Sequence, residues 1–335
     1  MTMQSNLEVY RKGARLSGEV GVFLSFGLQL TVGDLFGDSQ ETRLIHAILL
    51  LGVVVIIPLG LSLAPLNDTD NLVVYRAAVL LQPVGAVLVF VSLVLGQGNV
   101  PAALAASWLL VTGLVALLGL SRLLRPELRT ASEISISAGL IFLPIGAIWL
   151  IASRLGIQPF GFGDTIVVLT AVHFHFAGFA APILAGLAGR RLPQGATLRR
   201  VFAFTVACII AGTPLVAAGI TFSPVAALIG ASIISAGLVT LSVLVCGWVV
   251  PSLPFRAQLL LVISSLATLP AMALACTYAY SIVFHKLIID IPQMAMTHGI
   301  ANAFGFALCG MLAWSIVDSS RSYSANNIPN APAPY

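Results

Sequence analysis

The chain has 335 residues, 59% of them hydrophobic and only 8% charged, with a mean hydropathy of +1.03. A soluble domain carries about 25% charged residues, so a water-facing fold of this size is excluded. The formal net charge of +4 follows from the loop bias described below and calls for no nucleic-acid partner.

The apolar residues come in blocks of bilayer-spanning length, about 20 residues each. The period-two alternation of a transmembrane barrel is absent. The chain therefore reads as an all-α, polytopic transmembrane helical bundle of 9–10 spans. Residues 1–15 form a cytoplasmic segment and 16–318 a single transmembrane domain. Residues 319–335, rich in Ser, Asn and Pro, form a tail expected to be disordered. Near the start, no small-residue cleavage site follows a short apolar run, so no cleavable signal peptide is expected.

In chain order, a weaker apolar stretch runs from Leu16 to Gly33, with Glu19 at its start and Asp34 after it. Strong spans follow near 43–64, 73–95, 101–120, 134–153, 165–188, 199–220, 225–248, 257–284 and 294–317. Positive residues concentrate in cytoplasmic loops. Arg122, Arg125 and Arg129 occupy one loop, Arg190, Arg191, Arg199 and Arg200 another, Arg256 a third, and Arg321 follows the last span. These are alternate loops, hence one side; the opposite loops hold only Arg43, Arg154 and Lys286. Arg11, Lys12 and Arg15 join the inner side only if Leu16–Gly33 crosses. The expected topology is ten crossings with both termini cytoplasmic; nine crossings with an interfacial first helix is the alternative. Trp149, Trp248 and Trp314 fall near span ends, where interfacial anchors belong. No internal duplication is evident, which counts against transporters built from inverted repeats.

The sharpest chemical signal lies in Asp164–Gly189, where His173 and His175 sit in an otherwise apolar run. An ionisable residue inside a span is a functional-site hypothesis by default. With the loops oriented, His46, His173, His175, His285 and His298 all fall in the outer half. His173 and His175 lie roughly 12–15 Å below the start of their helix. Thr277, Tyr278, Tyr280 and Asp290 lie at similar heights, so a polar pocket opening to the extracytoplasmic side is expected. Residues two apart on a helix do not share a face. The two histidines of His-x-His therefore cannot grip one metal unless the helix is distorted, and Gly178 and Pro182 lie close enough to loosen it. The simplest geometry sends one histidine to the pocket and the other to a neighbouring helix. In MAMTHGIAN, 294–302, His298 and Asn302 are four apart and share a face. An asparagine there orients the ring and fixes its tautomer. Gly299 and Ala303 permit close helix approach.

The candidate catalytic residues are thus His173, His175, His298, Asn302 and Tyr278, with His173, His175 and His298 as candidate metal ligands. Each has a bland alternative: an interhelical hydrogen bond for each histidine, helix–helix glue for Asn302, and an interfacial aromatic for Tyr278. Glu133 heads a helix, where a carboxylate favours the dipole. Gln82 and Pro83 mark polarity and a kink in mid-membrane, and Arg76 is close enough to a helix end to snorkel. The four cysteines, Cys208, Cys246, Cys276 and Cys309, lie in apolar blocks without CxxC spacing and read as small hydrophobes. DDxxD, HExxH, P-loop and GxSxG patterns are missing.

AVHFHFAGFAAP at 171–182 and MAMTHGIANAFGF at 294–306, with IPLGLSL at 57–63 and IFLPIGAIWL at 141–150, resemble the YndJ-like family of bacterial polytopic membrane proteins. The resemblance implies an inner-membrane protein of about ten helices and selects His173, His175, His298 and Asn302. It implies no activity. Three readings of function remain. The favoured one is a membrane-embedded enzyme acting on a lipid-like or isoprenoid-like substrate, with the histidines as acid and base or as ligands of a transition metal (Zn, Fe or Cu). Haem ligation is a variant of it. The second is a transporter or proton-coupled permease using the histidines as a relay. The third is a non-catalytic scaffold or sensor.

Overall fold

The computed structural model describes the backbone of residues 3–32, 39–64 and 72–327, with side chains at 7–24, 39–64 and 72–320. Within these residues the chain is helical without a strand. Ten long helices follow one another: α1 Met3–Val32, α2 Gln40–Leu63, α3 Leu72–Val94, α4 Asn99–Leu123, α5 Ala131–Leu155, α6 Asp164–Gly189, α7 Ala196–Phe222, α8 Pro224–Ser252, α9 Phe255–Val283 and α10 Ile291–Ser320. Among the described residues, α2 to α10 are each long and apolar enough to cross a membrane. The last helical stretch continues to Asn327, inside the segment expected to be a disordered tail; residues 328–335 lie outside the described ones.

Helix α1 packs antiparallel on α2. Arg11 Nε donates to the Ser62 carbonyl (3.0 Å), while Gly18 meets Leu59 and Gly21 meets Val54. A Cβ on Gly21 would lie 2.1 Å from the Val54 carbonyl oxygen, so only glycine permits this approach. From Arg11 to Val32 the helix rises about 31 Å at 1.5 Å per residue, comparable to the bilayer core.

Helices α2, α6, α8 and α10 are not uniform. Each widens into π-helical turns: Gly52–Ile56 in α2, Phe174–Ala180 in α6, Val245–Val249 in α8, and Ala295–Gly299 with Ala301–Leu308 in α10. In the first three, a proline (Pro58, Pro182, Pro251) stands two residues after the widened segment. A proline inside a helix lacks an N–H and collides with the carbonyl one turn back, and a π-bulge relieves the collision while leaving a carbonyl unbonded.

The freed carbonyls must be satisfied internally, because lipid offers no donors. Neighbouring helices supply them. Gln82 Nε2 of α3 donates to the Val53 carbonyl (3.0 Å). Thr213 Oγ1 of α7 donates to the Ala177 carbonyl (3.3 Å). Ser264 Oγ of α9 donates to the Phe306 carbonyl (2.7 Å). Val53 and Ala177 each stand five residues before their proline, where the missing N–H of a π turn would have bonded.

The widened turns of α2, α6 and α10 pack against one another at the centre of the bundle. Gly52 allows it: a Cβ there would come within 3.3 Å of His175 Cβ and the Phe176 ring. Trp314 corrects the expectation of three interfacial tryptophans. It is 4% exposed and belongs to the core, whereas Trp149 packs on Phe162 and Trp248 is exposed.

Candidate functional site

The loops at the two ends sort the polar side chains. At one end Glu133 accepts from Arg122 (2.5 Å) and from Arg190 Nε and Nη2 (2.7 and 2.6 Å). Arg11 and Arg15 both pair with Asp318 at that same end. The five histidines lie towards the opposite end.

The widened turn of α6 sends His173 and His175 apart. His175 is 0% exposed. Its Nδ1–H donates to the Ala171 carbonyl (2.7 Å), and its Nε2 accepts from Trp108 Nε1–H (2.9 Å). The two rings are nearly coplanar, at 10°, which suits an in-plane N–H···N bond. Gly146 of α5 makes the space, since a Cβ there would lie 2.7 Å from His175 Nδ1. Both ring nitrogens are committed, so His175 is held as one neutral tautomer with no lone pair left for a metal.

His173 turns the other way. Its ring meets Phe174 edge-on, and it stands within electrostatic reach of His298. Its Nε2 is buried and has no hydrogen-bond partner among the described residues. His298 is the steadied member of this pair. Its Nδ1–H donates to the Ala271 carbonyl of α9 (2.8 Å), and its Nε2 accepts from Asn302 Nδ2 (3.2 Å). The same amide donates to the His298 carbonyl (2.9 Å), locking Asn302 to the turn above it.

The other candidates stand apart. No hydrogen bond or ring contact joins Tyr278 to a histidine among the described residues, and Tyr280 stacks on Phe284 (4.3 Å). His285 is exposed with φ 51°. Among the described residues no three His, Cys, Asp or Glu side chains come together to hold a metal. The expected triad of His173, His175 and His298 is therefore not assembled: His175 is bonded to Trp108, His298 to Ala271 and Asn302, and His173 meets only Phe174 while standing within electrostatic reach of His298.

Two residues escaped the sequence reading. Trp108 looked like one apolar residue among many, and Arg154 was counted only as a loop charge. Arg154 is 5% exposed. It donates from Nη1 to the Gly96 carbonyl (3.1 Å) and from Nη2 to Ser153 Oγ (3.0 Å), with His46 Nε2 at 3.5 Å.

A family model described as YndJ-like protein matches residues 47–306. The chain belongs to the YndJ-like family. It is 28% identical over 307 residues to the uncharacterized membrane protein YndJ of Bacillus subtilis (strain 168). That match covers 89% of this chain and 53% of the relative, so the chain spans about half of that relative's length. No solved structure matches it significantly. The YndJ-like region takes in Trp108, Gly146, Arg154, His173, His175, His298 and Asn302, while α1 lies outside it.

Proposed function

We propose that this YndJ-like protein is a membrane-embedded enzyme of the bacterial inner membrane. His173 would move protons on a lipid-like or isoprenoid-like substrate that enters from the extracytoplasmic side, and His298, both of whose ring nitrogens are hydrogen-bonded, would hold the site in shape around it. The observation that carries this reading is His173 Nε2, a buried imidazole nitrogen without a hydrogen-bond partner among the described residues, within electrostatic reach of a second imidazole whose orientation is set by Asn302 and Ala271. A neutral imidazole donates and accepts protons near neutrality, and a hydrophobic site keeps water from competing. Buried polar atoms in native structures are ordinarily bonded, so an orphan invites a role. The donor set favours acid/base work over a metal: a catalytic zinc takes three protein ligands, and His175 has no nitrogen to give. His175 and Trp108 serve this site as positioning residues, since their contact holds the widened turn that begins directly after His173.

The test reconstitutes the protein in vesicles of total bacterial lipid and compares lipid species by mass spectrometry for wild type, His173→Ala and His298→Ala. General acid–base catalysis is worth about 10²–10⁴-fold. Wild type should convert at least one lipid species, and each variant should lose about a hundredfold or more. Identical lipid profiles for all three proteins would remove the enzyme reading.

A further inference from the structure

Arg154 is a buried cation whose hydrogen-bond partners are all neutral: a carbonyl, a hydroxyl and an imidazole. Burying a charge is costly unless it is paired. Among the described residues no carboxylate comes within salt-bridge distance of it. Asp164 is within electrostatic reach, but its two oxygens are taken by the side-chain amides of Gln97 (3.3 Å) and Gln158 (3.1 Å). The ends of α3 and α5 lend partial negative charge that fades within a turn. The Nε N–H is buried without an acceptor among the described residues.

The position is as telling as the chemistry. Arg154 lies in the last turn of α5, immediately before the exposed residues 155–158. It lies eight residues outward of Gly146, which touches His175; that is about 12 Å. His46, its neighbour, lies two residues outward of Ile48, which packs on Gly299 beside His298. The guanidinium thus belongs to a residue roughly two helical turns outward of the level of His175, and its neighbour His46 belongs to the helix that packs on Gly299 beside His298.

We infer that Arg154, steadied by His46, Ser153 and the Gly96 carbonyl, binds the oxyanion head (phosphate or carboxylate) of an amphiphilic substrate whose apolar part reaches His173 and His298. The assignment of that deeper end rests on the acid/base reading above. A guanidinium suits the role because it grips oxyanions through two N–H groups at once.

The test titrates the protein, purified in the neutral detergent dodecyl maltoside, with dodecyl phosphate and with inorganic phosphate, reading thermal stabilisation. Dodecyl phosphate should stabilise wild type. Arg154→Gln should bind at least tenfold more weakly. Arg154→Lys, which keeps the charge but loses the forked contact, should bind several-fold more weakly. Weaker binding of inorganic phosphate supports the amphiphile; equal, Arg154-dependent binding supports the same anion site with a free anion as its ligand. Wild-type affinity in either Arg154 variant, or no binding by wild type, overturns the proposal. If Arg154→Gln loses binding while His173→Ala keeps full lipid conversion, the anion site stands and the acid/base reading falls.

Discussion

The imidazole of His175 occupies the space that a side chain on Gly146 would fill, and among the described residues Trp108 supplies the N–H that reaches its Nε2. Trp108 is itself fully buried, so removing its donor strands an acceptor where no water can follow. Trp108→Phe should therefore destabilise the protein by about 1–3 kcal/mol. Thermal unfolding in detergent measures this, with Trp149→Phe as the half-buried control that should shift the midpoint far less. Equal midpoints for the two variants would show that the His175 contact contributes nothing. The opposite facing of His173 and His175 was legible in the sequence, because a spacing of two never shares a helix face. The partner Trp108 was not, because it stands 67 positions away in an apolar block that offers no sign of direction.

The four widened helices show how a polar residue in a span acquires its purpose from a neighbour's backbone. Gln82 is 2% exposed. It donates to the Val53 carbonyl freed ahead of Pro58 and accepts from Ser17 of α1 (3.1 Å). It thus ties three helices together. Gln82→Met keeps the volume and removes both bonds. It should cost about 1 kcal/mol, the scale of interhelical hydrogen bonds in membranes, and should leave α1 easier to digest with protease. Unchanged unfolding and protease resistance would mean that the Val53 carbonyl finds another donor. The sequence showed a polar mid-membrane residue beside a proline. Three of the four widened helices carry a further signal in retrospect, a proline two residues beyond the bulge. Helix α10 has no such mark, and its two widened segments follow only from its packing on α2, α6 and α9.

At the scale of the molecule, the antiparallel course of α1 along α2 agrees with a tenth crossing, and we propose from the loop charges that both termini are cytoplasmic. Cysteines placed near Asp290 should then react with a membrane-impermeant thiol reagent added from outside, whereas those near Arg190 should react only after permeabilisation. The reverse pattern would invert the orientation and move the histidine end to the cytoplasm. The ion pairs of Arg11 and Arg15 with Asp318 join the first helix to the last on the side opposite the histidines. The count and order of the strong spans were legible because membrane insertion is decided by local hydropathy, a property each block carries alone. Which side chains meet was decided only by the tertiary structure. Lipid-facing and core-facing residues in this chain are equally apolar, so periodicity carries no direction. The electrostatic reach between His173 and His298, the capture of His175 by Trp108 and the burial of Arg154 beside His46 each join residues of different helices. The close approaches at Gly52 and Gly146 and the donors from α3, α7 and α9 belong to that packing, and none of them is local to the carbonyl or ring it meets.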